Sequence, residues 1–134
     1  IFQATMQSMK NILTNLFEQN RDAVLFAYLF GSYAENTQSE RSDLDVAVFL
    51  NGYDERLNFD KKTDLYLQLS KTLKRDDIDL VIMNHFKNLI ILNNIISRGV
   101  VVFCQDEPFR LDYEQKILHQ AIDFKTQRTM AMGI

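Results

Sequence analysis

An apolar segment near the start of the chain, Ala23–Phe30, constrains the fold more than any other part of the sequence. It is rich in aromatic residues, contains no charged side chain, and stops at Gly31-Ser32. An apolar run of this length without alternation is typical of a β-strand that is covered on both faces. The rest of the chain must therefore supply structure on both sides of this strand.

Helical and strand patterns alternate along the remaining sequence. Apolar residues at spacings of three and four predict helices, whereas short runs rich in Val and Ile predict strands. The predicted helices cover about Met6–Asn20, Leu57–Lys74, His85–Arg98 and 107–131, and the further strands cover Leu44–Leu50, Asp77–Met83 and Val100–Phe103. The prediction is a single α/β domain over residues 1–134, with a mixed central sheet of about four strands flanked by helices.

Charge and cysteine content exclude several functions. The net charge is −3, from 15 basic and 18 acidic residues. A protein that neutralises the phosphates of a nucleic acid carries a surplus of Lys and Arg, so direct nucleic-acid binding is not expected. The single cysteine, Cys104, excludes an internal disulfide and is typical of a reducing compartment, and no apolar run is long enough to span a bilayer. We therefore expect a cytoplasmic protein without a membrane segment.

The dipeptide Gly31-Ser32 directly follows the first predicted strand and is a candidate anion site. Glycine lets the backbone approach a ligand closely, and consecutive backbone amides can form a concave site for an anion. The serine adds a hydroxyl donor. A plain turn is the alternative, and it is the more frequent role of a Gly-Ser dipeptide after a strand.

Two aspartates lie at the start of the second predicted strand. Asp43 and Asp45 are two positions apart, so in a strand their side chains project on the same side with Cα atoms roughly 6.6 Å apart. Adjacent carboxylates repel each other unless a cation compensates them, and Mg²⁺ prefers carboxylate oxygens together with phosphates and water. The alternative is a solvated acidic turn, which is the more frequent meaning of Asp-x-Asp alone.

A third acidic group occurs in the third predicted strand. Asp79 is followed by three apolar residues, so it lies further into the strand than Asp76 and Asp77, which we interpret as solvated residues at the strand start. A carboxylate inside a strand is costly without a partner. Together with the Asp-x-Asp pair, it would allow two metal ions to be held about 3.5–4 Å apart.

Taken together, these motifs resemble the nucleotidyltransferase superfamily that includes DNA polymerase β. The family pattern is Gly-Ser, a variable spacer, Asp-x-Asp, and a third acidic residue on a neighbouring strand. The small size and the ten-residue spacer are similar to the minimal nucleotidyltransferases (MNT), the antitoxins of HEPN/MNT toxin–antitoxin pairs. The resemblance covers about residues 23–104, and a C-terminal helix follows at about 107–131.

The resemblance implies roles in nucleotide binding. Gly31 and Ser32 would hold the triphosphate of ATP. Many relatives carry Arg or Lys where this chain has Glu35, and a glutamate cannot replace a cation near a triphosphate. Arg41 is the candidate replacement, a residue of a partner protein is the alternative, and Ser42 is the other spacer residue that we assign to the nucleotide.

The resemblance also implies the catalytic roles. Asp43 and Asp45 would bind two Mg²⁺ ions, and Asp79 would complete the site of the catalytic metal and help to deprotonate the acceptor hydroxyl. In such a site one metal lowers the pKa of the acceptor and the other neutralises the departing pyrophosphate.

The function implied by the resemblance is transfer of AMP from ATP to a tyrosine of a cognate HEPN RNase toxin, within a hetero-oligomer that neutralises the toxin. The Arg-x(4–6)-His motif of such toxins is missing from this sequence, so the chain is similar to the antitoxin. One alternative is a binding module with little or no turnover that neutralises the toxin by occlusion. Another is transfer to a small molecule of the aminoglycoside type, which the lack of room for a second helical domain disfavours.

The two C-terminal helices carry apolar residues around more than one stripe of their surface. We expect these wide apolar faces to pack mainly into the core, and an interface with another chain is the alternative.

Overall fold

The computed structural model describes residues 6–35, 37 and 42–131. The elements in chain order are α1 (Met6–Gln19), β1 (Val24–Phe30), β2 (Leu44–Leu50), α2 (Glu55–Leu73), β3 (Ile78–Ile82), α3 (Leu89–Arg98), β4 (Val100–Cys104) and α4 (Glu107–Ala131), with a 3₁₀ turn at Met83–His85. Among these helices, none is both long and apolar enough to cross a lipid bilayer.

The four strands form one mixed sheet in the order β3-β2-β1-β4. β1 is antiparallel to both of its neighbours, whereas β2 and β3 are parallel. The predicted fold class is therefore confirmed. β1 lies inside the sheet and most of its side chains are buried, as its unbroken apolar sequence predicts.

Apolar clusters cover both faces of the sheet. On one face α1 and α2 pack through residues such as Leu13, Phe17 and Leu65. On the other face α3 and α4 pack through Ile95 and Ile117, among others. β2 and β3 send alternate side chains to the two clusters, whereas irregularities in the pairing of β1 with β2 and β4 interrupt the alternation there. The sheet is therefore the middle layer of three.

Side-chain caps decide where two helices begin. Asn88 accepts hydrogen bonds from the amides of Ile90 and Ile91, so α3 begins at Leu89 and not at His85 as predicted. Asp54 caps α2 in the same way, which places the first residue of α2 at Glu55. An Asn or Asp side chain at this position satisfies amides that have no partner within the helix.

The apolar faces of α3 and α4 are only partly in the core, and of the apolar residues named below four are buried and eight are exposed, so the expectation of mainly core packing is wrong for most of these residues. The buried members are Leu92, Ile95, Ile117 and Ala121. The exposed members are Ile90, Ile91, Phe109, Leu111, Leu118, Ile122, Phe124 and Met130. The last buried residue of α4 is Ala121, although the helix continues to Ala131, because its C-terminal part extends past the sheet.

Candidate active site

The Asp-x-Asp motif and Asp79 meet at one end of the sheet. The parallel register of β2 and β3 pairs Asp45 with Asp79, and residues paired in this way project from the same face. Asp43 lies one residue before β2 begins. Asp45 shares its face with Ala47 and with the cluster that packs on α3 and α4, but it lies at the open end of that cluster.

Gly31 packs directly against Asp45. Its backbone has φ +72°, and an added Cβ would stand 2.1 Å from Oδ2 of Asp45. Both observations exclude a larger residue, because the left-handed backbone is strained for L side chains and the space is already filled. The backbone at Gly31 therefore approaches the aspartate of the neighbouring strand closely, and the binding of an anion at Gly31-Ser32 stays a prediction.

The chain after Gly31 forms a tight polar turn. The amide of Glu35 donates to the carbonyl oxygen of Gly31 at 3.1 Å, and the amide of Thr37 donates to the carbonyl oxygen of Ser32 at 2.8 Å. Ser32 is half-buried within this turn. These bonds hold the turn beside the aspartates.

The carboxyl group of Asp45 has a raised pKa. Its pKa is raised to about 6, first by burial and then by the negative charges of Asp79 and Asp43. Asp43 and Asp79 are themselves exposed to solvent. Three carboxylates therefore share one region, and among the residues that the structure describes no cation is a cause of the pKa shift of Asp45, the least exposed of the three.

The donor set suits Mg²⁺ in kind, because carboxylate oxygens are the ligands that this ion prefers. The repulsion that Asp45 experiences from Asp43 and Asp79 is the kind that a divalent cation relieves. Within the described ranges, however, no three His, Cys, Asp or Glu side chains stand close enough together to hold an ion as they are. The assignment of these three residues as metal ligands stays a prediction.

Arg75 connects the segments of the site, and the sequence analysis did not identify it. Its guanidinium donates to Tyr33 Oη at 2.7 Å and to the carbonyl oxygen of Ser42 at 2.6 Å. It also forms a two-point ion pair with Asp77, at 2.5 and 2.7 Å. Arg75 thereby ties the Gly-Ser turn, the approach to β2 and the connection before β3 to one another.

The interpretation of Asp77 as a solvated residue is incomplete, because its side chain is 38% exposed but also forms an ion pair with Arg75. Its hydrogen bonds from Arg75 lower the pKa of its carboxyl group, and its carbonyl oxygen accepts from the amide of Leu44. Arg75 is only two positions before Asp77, but no local feature of the sequence indicates that the same guanidinium also contacts Tyr33, which is 42 positions away.

Glu35 has a counter-charge that the sequence analysis also missed. Nη1 of Arg98, in the last turn of α3, lies 3.5 Å from Oε1 of Glu35. Arg98 is therefore a second basic residue beside the turn that is predicted to bind the nucleotide. Arg41, the predicted one, lies outside the described residues, and so does part of the spacer between β1 and β2.

Comparison with known proteins gives one family and a set of similar structures. The family model for the polymerase β nucleotidyltransferases matches residues 11–108. A crystal structure described as a toxin–antitoxin with AMP-PNP has a TM-score of 0.73 and 22% sequence identity, covering 92% of this chain and 95% of that chain. A structure of tri-AMPylated Shewanella oneidensis HEPN toxin in complex with MNT antitoxin has a TM-score of 0.69 and 19% identity, covering 96% and 97%. No curated protein is significantly similar in sequence.

Proposed function

Because the chain belongs to the polymerase β nucleotidyltransferase family, we propose that it transfers AMP from ATP to a tyrosine hydroxyl of a HEPN-family RNase toxin and so neutralises the toxin. The observation that carries the transferase part is the packing of Gly31 against Asp45, whose partner in the adjacent strand is Asp79. The choice of AMP and of a toxin as acceptor is supported by similarly folded chains, which occur in structures with AMP-PNP and with AMPylated HEPN toxin.

In this proposal the turn after β1 binds the nucleotide. Ser32 and the backbone amides that follow Gly31 contact the triphosphate, as consecutive amides do in other anion sites. Arg41 and Ser42 approach it from the spacer. Arg98 balances the negative charge of Glu35, so the glutamate does not repel the phosphates without compensation.

Asp43, Asp45 and Asp79 would hold Mg²⁺, which stabilises the charge that develops on the α-phosphate and on the departing pyrophosphate. The tyrosine oxygen forms a bond to the α-phosphorus, the bond from that phosphorus to the β-phosphate oxygen breaks, and pyrophosphate leaves. The hydroxyl proton passes to Asp79, whose side chain is exposed at this end of β3 and can meet an incoming acceptor.

The direct test is mass spectrometry of the partner toxin after incubation with this protein, ATP and Mg²⁺. The wild type is expected to add AMP masses, and Asp43→Asn or Asp45→Asn should slow the addition by at least about a hundredfold. Asp76→Asn is the matched control, because Asp76 is an exposed aspartate of the connection before β3 and has no role in the proposed site. Transfer by Asp45→Asn at the rate of the control would contradict the proposed site.

The second candidate is a binding module that blocks the toxin by occlusion alone. Glu35 in the phosphate-binding turn favours it, because this residue is a poor neighbour for a triphosphate. Under occlusion, the asparagine variants would still protect cells that express the toxin. Loss of protection together with loss of transfer would discard this candidate.

A further inference from the structure

A groove runs along the outer edge of the sheet and begins at Asp79. In the part of the chain that the structure describes, β3 pairs only with β2, so its other edge has no strand partner. Two adjoining cavities of about 430 and 300 Å³ lie between this edge and α2. Both are lined by Phe59, Lys62, Asp79 and Leu80, so they form one continuous space, which we call the edge groove.

The edge groove is built to receive a main chain. One wall is the free edge of a strand, which offers backbone N–H and C=O groups in alternation. The opposite wall is α2, where Phe59 presents an aromatic ring that is 67% exposed. At the far end His85 Nε2 lies 2.8 Å from Nδ2 of Asn58, and this contact joins the turn after β3 to α2 and keeps the two walls in place.

We propose that the edge groove binds an extended segment of the acceptor protein as an added strand on β3, with the acceptor hydroxyl beside Asp79. This inference rests on the proposed function, for which it names the acceptor subsite. A strand edge can be satisfied by extended backbone but not by a helix, because a helix uses its own donors and acceptors internally. The occupant is therefore a short extended peptide segment and not a helical face.

The geometry of a sheet explains how such a segment would deliver its side chain. An added strand lies about 4.8 Å from β3, and its side chains alternate between the two faces. A tyrosine opposite Asp79 that projects from the same face as Asp79 and Asp45 would place its hydroxyl on the side of the sheet that carries these carboxylates, with Asp79 the nearer of the two. β3 has five residues, so the bound segment spans about 17 Å.

Phe59 allows a test that leaves the fold and the catalytic residues intact. Phe59 and Leu67 are both exposed on α2, at 67% and 60%, and only Phe59 lines the groove. With the purified HEPN toxin as acceptor, Phe59→Ala is expected to raise the KM for toxin about tenfold and to leave the KM for ATP unchanged. Leu67→Ala should change neither constant. A Phe59→Ala variant with the wild-type KM for toxin would overturn the groove assignment.

Hydrogen exchange of β3 separates failure of the groove from failure of the proposed function. Addition of the toxin should slow exchange of the amides of residues 79–82 in the wild type. If the toxin is AMPylated but these amides are unaffected, the proposed function stands and the groove assignment is wrong. If no AMP is added but the amides are protected, the groove assignment stands and the transferase proposal fails. Protection that rises with the concentration of this chain alone would assign the edge to a second copy and overturn the proposal.

Discussion

At the scale of single residues, the ionised carboxylate of Asp45 is required by the proposed chemistry but lowers the stability of the fold. Its carboxylate is half-buried against Gly31, with Asp79 on the adjacent strand and Asp43 two residues away. Burial and two like charges disfavour ionisation, which raises its pKa to about 6. A residue that costs stability when ionised is expected at a site where a cation or a ligand later compensates the charge.

The raised pKa predicts that Asp45→Asn stabilises the protein without ligand at neutral pH. The native state favours protonated Asp45, so its ionisation destabilises the fold as pH rises from about 4 to about 6, and the cost is complete above that window. Because the residue is only partly buried, solvent screening reduces the expected gain in free energy of unfolding to about 1–2 kcal/mol at pH 7.5. Urea denaturation of the wild type and the variant in the presence of EDTA measures this difference in the free energy of unfolding.

The control for this prediction is pH itself. At pH 3.5 both states of the wild type hold the proton, so the variant and the wild type should unfold at nearly the same urea concentration. A variant that is no more stable than the wild type at pH 7.5 would contradict the electrostatic argument.

The pair Glu35–Arg98 gives a second prediction at this scale. Arg98→Ala leaves the negative charge of Glu35 uncompensated beside the proposed triphosphate site. We therefore expect the KM for ATP to rise about three- to fivefold, a small effect because solvent screens the charges of an exposed ion pair. Glu35→Gln should lower the KM by a similar factor. The double variant should return close to the wild-type value, and initial rates over a range of ATP concentrations measure all three. A double variant that keeps the raised KM of Arg98→Ala would contradict the prediction, because the effect of Arg98 would then not depend on the charge of Glu35.

At the scale of elements, the site depends on how three connections are tied together. The turn after β1, the approach to β2 and the connection between α2 and β3 come from distant parts of the chain, and Arg75 bonds to all three. A backbone carbonyl, a phenol and a carboxylate share one rigid guanidinium, and lysine could not reproduce that geometry. The strands set the positions of the aspartates, and the connections between strands set the surroundings.

α4 divides into a packed part and a projecting part, and this division can be measured. Removal of residues 125–134 should lower the free energy of unfolding by less than about 1 kcal/mol, because the part of this segment that the structure describes is exposed. Ile117→Ala, within the packed part, should cost about 2–4 kcal/mol, because Ile117 is buried in the cluster beneath the sheet. Thermal and urea denaturation of both variants test the division. A truncation as costly as the Ile117 change would show that the projecting part contributes to the core.

At the scale of the whole molecule, the proposed site lies on one end of a three-layer fold and is open to solvent on its acceptor side. The sheet holds Asp45 and Asp79 between layers of helices, while β3, at the edge, leaves the neighbouring groove uncovered in the described part of the chain. The proposed nucleotide side and the proposed acceptor side would therefore meet at β2 and β3. An acceptor that binds as a strand would complete the sheet and the reaction centre at once.

Ligand binding at such a site should stabilise the entire domain. AMP-PNP with Mg²⁺, at about a hundred times its Kd, is expected to raise the Tm by about 5–15 °C, because binding to the native state alone adds about 2.7 kcal/mol. EDTA should remove most of this gain, since the triphosphate then faces three uncompensated carboxylates. Asp45→Asn should show a smaller gain than the wild type. An equal shift in EDTA would contradict the metal assignment.

The sequence predicted the elements well where the signal is local. The buried run before Gly31-Ser32 is a central strand, the Asp-x-Asp segment opens the next strand, and Asp79 lies in the third. These predictions succeed because hydrophobic periodicity and glycine both act within a few residues. The errors in the predicted starts of α2 and α3 are also local in origin, because a single capping side chain shifts a helix boundary by two to four residues.

Only the tertiary structure decided what the distant residues do. The family motif placed the acidic residues on neighbouring strands, but it did not give the register that pairs Asp45 with Asp79. It also did not give the contact of Gly31 with Asp45. The bonds from Arg75 to Tyr33 and Ser42 likewise join positions that are far apart in the chain. The sequence also does not indicate the exposed edge of β3 or the projecting end of α4. Whether a residue is buried depends on which parts of the sheet the helices cover, and that is decided by the tertiary packing. Interactions between residues close in the chain determine the helices and strands, whereas the packing of these elements determines which side chains meet at the ends of the strands.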